Sequence, residues 1–126
     1  MNVLGLNHFT VMSADLDATR RFYCEVLGLQ EGARPNLGFA GLWLYAGAQP
    51  VLHVIATEQA AESRRTVIDH VALDAQGLAE IVARCKARGI KHRYQRMEDR
   101  RWQFFCRDPD GAMIELDFAA DEGEPV

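Results

Sequence analysis

Leu6-Asn7-His8-Phe9 returns as Ile68-Asp69-His70-Val71, with 62 positions separating His8 from His70. The same interval carries His53, in Val51-Leu52-His53-Val54, onto Glu115, in Met113-Ile114-Glu115-Leu116. Four side chains able to hold a metal ion therefore occupy equivalent places in two copies of one unit. Two copies related by a pseudo-twofold axis can bring four such groups to one point, which is what a divalent ion requires.

Outward from these stretches the chain reads as βαβββ, twice. In the first copy Leu4 to Val11 is a strand and Asp15 to Leu27 a helix. Ser13 or Asp15 caps that helix, and Gly28 supplies a left-handed ending. Leu29 to Arg34 is a short strand, stopped by Arg34-Pro35-Asn36. Gly41 to Tyr45 and Pro50 to Ile55 then form a hairpin around Ala46-Gly47-Ala48-Gln49. Polar Glu58 to Arg65 links the halves. In the second copy Val67 to Leu73 is a strand, and Leu78, Ile81, Val82 and Cys85 stripe a helix that Gly89 ends. Ile90 to Tyr94 is a short strand. The last hairpin, Trp102 to Cys106 and Ala112 to Phe118, turns at Asp108-Pro109-Asp110-Gly111. The same overlay sets Leu16 on Leu78, Leu42 on Phe104 and Trp43 on Phe105. The expected class is α+β: one domain over residues 1–126, with modules at about 3–57 and 66–119.

Strand side chains alternate between faces. Ile114, Leu116 and Phe118 suit a helix-covered face, as do Leu52 with Val54, Phe9 with Val11, and Val71 with Leu73. By the same parity His8, His53, His70 and Glu115 all fall on the opposite face. Trp43, Tyr45, Gln103 and Phe105 share it and are candidate substrate contacts. Arg93, Arg96, Arg100, Arg101 and Arg107 cluster near the last hairpin. Arg101 shares the parity of Gln103 and Phe105 and is the one favoured to hold a substrate carboxylate or phosphate. His92 has no counterpart in the repeat and is expected at a loop edge or facing substrate.

Composition narrows the classes. The chain has 126 residues and a formal net charge of −4, without the basic footprint of a nucleic-acid binder. Its three cysteines lack metal-type spacing and read as reduced, mostly buried residues. A strand pattern begins at once, with no basic start, apolar stretch and cleavage site. No run has the roughly 18 apolar residues of a membrane span. The expectation is a soluble cytoplasmic protein with a small-molecule substrate, no nucleic-acid partner and no membrane. Unpaired module edges favour a homodimer.

The pieces Leu6-Asn7-His8-Phe9-Thr10-Val11, Phe22-Tyr23-Cys24-Glu25-Val26-Leu27-Gly28, Ile68-Asp69-His70-Val71-Ala72 and Asp108-Pro109-Asp110-Gly111 before Ile114-Glu115 span almost the whole chain in order. Their arrangement resembles the vicinal oxygen chelate superfamily, which includes glyoxalase I, methylmalonyl-CoA epimerase, fosfomycin-resistance thiol transferases and extradiol dioxygenases. Arg34-Pro35 and Gly41-Leu42-Trp43-Leu44 look closest to its glyoxalase-like branch. The resemblance implies two modules joined edge to edge, with sheets curled around a cavity and helices outside. It maps the metal ligands onto His8, His53, His70 and Glu115. Where glyoxalase I has a first-module carboxylate, and epimerases commonly Gln, this chain has His53.

The activity implied by this resemblance is that of a glyoxalase-I-like lyase or isomerase. Its α-oxo or hemithioacetal-type substrate would chelate the ion through neighbouring oxygens. Glu115 is the expected base and His53 the second candidate. The ligand types admit Ni, Co, Zn, Mn or Fe alike. One alternative is an extradiol-type Fe(II) dioxygenase using His8, His70 and Glu115. Another is a ligand-sequestering module of the bleomycin-resistance type. Both intrachain and interchain closure of the site occur among relatives.

Overall fold

The computed structural model describes residues 2–59 and 66–126, so most of the expected linker lies outside the described residues. The chain divides into two compact units, residues 1–60 and 61–126.

In the first unit β1 (Phe9–Ser13) leads to α1 (Leu16–Arg20), whose helical path widens into π-type turns over Arg21–Val26. The Asp15 carboxylate accepts from the Ala18 N–H at 3.1 Å and so caps the helix. The Leu27 N–H donates to the Phe22 carbonyl, a five-residue step. Gly28 follows at φ 87°, a left-handed conformation that costs glycine little. Then come β2 (Gln30–Glu31), β3 (Gly41–Ala46) and β4 (Gln49–Ala56). The sheet order is β1-β4-β3-β2, with β1 parallel to β4 and the other pairs antiparallel.

The second unit repeats this plan with β5 (Val71–Asp74), α2 (Leu78–Ala87), β6 (His92–Arg96), β7 (Trp102–Arg107) and β8 (Met113–Phe118). Its order is β5-β8-β7-β6. Even the register repeats. Phe9 pairs with Leu52 and Val71 with Ile114, both shifted by the same 62 positions. The architecture is α+β, built from two βαβββ modules.

Each unit buries one face of its sheet. Phe22, Tyr23, Val26, Leu42, Leu44, Leu52 and Val54 form the first core. Leu78, Ile81, Val82, Phe104, Ile114, Leu116 and Phe118 form the second. Cys85 and Cys106 are buried and free, and burial pushes their thiols up to about 11 and about 12. They are apolar filling rather than nucleophiles. No helix among the described residues is long and apolar enough to cross a membrane.

The first strand of each module starts later than the sequence suggests, at Phe9 and Val71 instead of Leu4 and Val67. Pairing with β4 begins at Leu52 and with β8 at Ile114, so the residues before Phe9 and Val71 have no ladder within their unit. Leu4, Leu6, Val67 and Ile68 are accordingly exposed. His8 and His70 each stand one residue ahead of a strand. The short strands also shift, to Gln30–Glu31 and His92–Arg96. His92 belongs to the core face: its ring stacks on Phe104 with centres 5.6 Å apart. Its Nδ1–H donates to the Ile90 carbonyl at 2.8 Å. It is a structural residue.

Candidate functional site

In the first unit, β1–β4 pairing sets Thr10 beside His53, and β3–β4 pairing sets Trp43 on its other side. His8, next to Thr10's strand, lays its ring on that of His53 with centres 3.7 Å apart and planes 17° from parallel. Trp43 stacks on His53 at 4.0 Å and 10°. The His53 ring hydrogen-bonds the Pro50 backbone. Its Nε2 is buried and has no hydrogen-bond partner. Proline offers only a carbonyl, so Nδ1 carries the proton and Nε2 the free lone pair. Burial, then the neighbouring His8 and Arg34, hold His53 below the usual imidazole range, against the Pro50 contact. It is a neutral imidazole, as a metal ligand must be.

His8 shows the same polarity. Its Nδ1 lies 2.7 Å from Asn7 Oδ1, an acceptor, which leaves Nε2 as the lone-pair nitrogen.

In the second unit the register is equivalent: Ala72 and Phe105 flank Glu115. His70 directs Nδ1 at Asp69 Oδ2, 2.7 Å away, and Nε2 at Glu115 Oε1, 3.2 Å away. The Asp69 contact, aided by the Glu115 charge, raises the His70 pKa against the opposing effect of burial. Glu115 is 7% exposed. Burial raises its pKa first, then its hydrogen bond with Asp117 and the charge of Asp117, while His70 pulls the other way. The Phe105 ring meets His70 edge-on at 6.3 Å, under the Arg93 guanidinium at 4.1 Å.

Each unit thus brings two of the four expected ligands together. Among the described residues no group of three or more His, Cys, Asp and Glu side chains is gathered. The donor types are those a divalent ion takes: three imidazoles each with Nδ1 engaged, and a buried carboxylate that already faces the third imidazole's Nε2.

The expected substrate contacts divide. Trp43 and Phe105 lie against His53 and His70. The Tyr45 hydroxyl donates to the Ala33 carbonyl at 2.5 Å, so it ties down the loop after β2. Gln103 Nε2 lies 3.5 Å from Glu115 Oε2. Arg101 and Gln103 line a cavity of about 500 Å³ together with Met97, Trp102 and Asp117. Arg101 is half exposed and only 3.8 Å from Asp74, so it keeps donors for other partners. Arg96 and Arg107 are engaged by backbone carbonyls.

Sequence reasoning passed over Asn7 and Asp69, although each precedes a histidine at the shared offset. It also passed over Arg34 and Asp117, whose neighbours are set by tertiary contacts. Asp117 Oδ1 is buried without a donor.

Comparison with known proteins accords with these modules. The chain is 27% identical over 124 residues to "Glyoxylase I 4" of Arabidopsis thaliana, spanning 92% of this chain and 71% of that one. A glyoxylase/bleomycin resistance protein/dioxygenase domain from Frankia sp. EAN1pec superposes with TM-score 0.76 at 17% identity, over 97% of this chain and 96% of that one. Lactoylglutathione lyase from Agrobacterium tumefaciens gives 0.67 at 22% identity, over 98% and 100%. The family model matched by residues 5–116 makes the assignment: the chain belongs to the Glyoxalase/Bleomycin resistance protein/Dioxygenase superfamily.

Proposed function

We propose that the chain is a metal-dependent lyase or isomerase of the glyoxalase I type, acting on a small α-oxo or hemithioacetal-type substrate with two neighbouring oxygens. The observation that carries this reading is the shared polarity of three histidines. Asn7 and the Pro50 carbonyl each occupy Nδ1 of His8 and His53 and leave Nε2 for a ligand bond, while Asp69 holds Nδ1 of His70, whose Nε2 faces Glu115 Oε1 in the contact an ion would replace. His8, His53, His70 and Glu115 would hold the ion, one pair from each module. Both modules belong to one domain, and a cytoplasmic homodimer is its working form. A divalent ion bound there would supply a Lewis acid that stabilises negative charge developing on the substrate oxygens.

The chain's own residues supply the rest. Glu115 takes the proton from the hydroxyl-bearing carbon beside the carbonyl and returns it to the former carbonyl carbon, while the hydroxyl proton passes from one oxygen to the other. His53 stays neutral and is wedged between His8 and Trp43, so it orients rather than shuttles. Trp43 and Phe105 exclude water beside the reacting atoms. Gln103 steadies the Glu115 carboxylate, and Arg101 offers its guanidinium to a polar end of the substrate.

An extradiol dioxygenase would leave His53 outside the ligand set, whereas its buried Nε2 lone pair lacks any partner. The test is turnover of hemithioacetals, formed from 2-oxoaldehydes and several thiols, by protein loaded in turn with Ni, Co, Zn, Mn and Fe. Formation of 2-hydroxyacyl thioesters is expected. No turnover with any combination rejects the substrate class, and oxygen uptake with catechols under Fe(II) would favour the dioxygenase.

A further inference from the structure

Arg34 stands on the first unit's ligand-bearing face for a structural reason. Gly41, paired with Ile55 and two residues ahead of Trp43, has no side chain, and the guanidinium lies close over it. A Cβ on Gly41 would strike the Val54 backbone oxygen first and lie 3.0 Å from Arg34 Nη2. Nη2 donates to the Phe39 carbonyl at 2.9 Å, and the guanidinium covers the Phe39 ring at 5.1 Å. The group is close enough to His53 for its charge to lower that imidazole's basicity.

One N–H of Arg34 lacks an acceptor. Its Nε is buried with no hydrogen-bond partner. Among the described residues no carboxylate pairs with it. A buried donor left unmet is costly, so it calls for a partner outside the described residues.

Arg96 provides an internal control, since it stands 62 positions after Arg34. It too covers an aromatic ring, Trp102, at 4.3 Å. Its Nη1, however, donates to the carbonyls of Arg100 and Ala120 at 2.7 and 2.8 Å. The second module satisfies its arginine internally; the first leaves one N–H of its arginine without an acceptor.

We propose that Arg34 binds a carboxylate of the substrate beside His53, so that the natural substrate carries an anionic group separate from its chelating pair of oxygens. A planar fork with one unused N–H on a half-buried side chain suits a carboxylate better than a neutral group. The inference rests on the metal-site reading above for where the substrate sits, but not for the anion contact itself.

Two measurements separate these parts. The first compares binding of 2-oxoglutarate and 2-oxobutyrate, which share a chelating head and differ in the distal carboxylate, to nickel-loaded protein. The wild type is expected to prefer 2-oxoglutarate by about tenfold or more. Arg34→Gln should bring the two within about twofold of each other. Arg34→Lys, which keeps charge and loses the fork, should fall between. The second measurement titrates metal-free protein with glutarate and follows the ¹⁵N–¹H signal of Arg34 Nε, which is expected to move.

Equal affinities in the wild type, or a preference that survives in Arg34→Gln, overturn the proposal. So does a stationary Nε signal. If neither oxo acid binds nickel-loaded protein while glutarate still moves that signal, the metal-site reading fails and the anion contact stands. Should Arg34→Gln not fold, the Arg34→Lys ratio and the Nε titration decide.

Discussion

The imidazoles of His8 and His53 lie face to face, 3.7 Å between ring centres, with Trp43 closing the stack on the far side of His53. Stacking at that distance is incompatible with two positive rings, and His8 is among the causes that depress the His53 pKa. The stack therefore fixes His53 as a neutral ring with one orientation. That is what a ligand needs before the ion arrives.

Trp43→Ala should loosen His53 at small cost to the fold. Loss of the aromatic contact is worth about 0.5–1.5 kcal/mol beyond the area exposed. Metal affinity should fall about 10–100-fold, as is usual for a ligand that loses its support. Thermal melting and nickel titration read the two effects separately, and unchanged affinity would mean that His53 does not depend on the stack.

The pH dependence of metal binding should report His70. Its raised pKa means that in metal-free protein the ring stays protonated to a higher pH than an ordinary imidazole. That proton contributes stability at low pH, fully present below the unfolded imidazole value and lost as pH rises through the folded value. A metal must displace the same proton, so affinity should climb with pH through the raised His70 pKa. Asp69→Asn removes the largest cause and should move both midpoints down; NMR of the ring protons and metal titrations across pH check it.

Glu115→Gln should separate stability from function. The raised pKa of Glu115 shows that its ionised form is disfavoured in the fold. That penalty appears as pH rises above the ordinary carboxylate value and is fully present above the folded one. The neutral amide should raise Tm of the metal-free protein at pH 7.5, leave Tm little changed at pH 4, and abolish turnover. A lower Tm at pH 7.5 would contradict the assignment.

Much of this was legible in the sequence, and the reason is the repeat. Parity within a strand and a constant offset between modules are preserved by folding, so the facing of His53 with Trp43 and of Glu115 with Phe105 could be read directly. Strand starts were less readable, because Leu4 and Leu6 have strand-like chemistry but no ladder within their unit. His92 looked free because no pattern reveals that it stacks on Phe104. Glu122, which accepts from the Gly77 and Leu78 N–H groups at the start of α2, is too distant in sequence to be recognised as its cap. Arg34 was hidden for the same reason: only the folded sheet puts its guanidinium over Gly41.

The Asp108 turn offers a purely structural check. This buried carboxylate accepts from the Asp110 and Ala112 N–H groups at 2.9 and 2.8 Å, and sets the hairpin that delivers Glu115. Asp108→Ala should cost about 1–3 kcal/mol by leaving those donors unmet. Denaturant unfolding measures it, and a cost near zero would show that water replaces the carboxylate.

The most direct measurement is the stoichiometry of nickel bound to wild type and to two double variants, His8→Ala/His53→Ala and His70→Ala/Glu115→Ala. If one ion draws on a pair from each module, the wild type binds one nickel per chain and each double variant loses it. Two ions per chain, or one that survives removal of either pair, would contradict a shared centre.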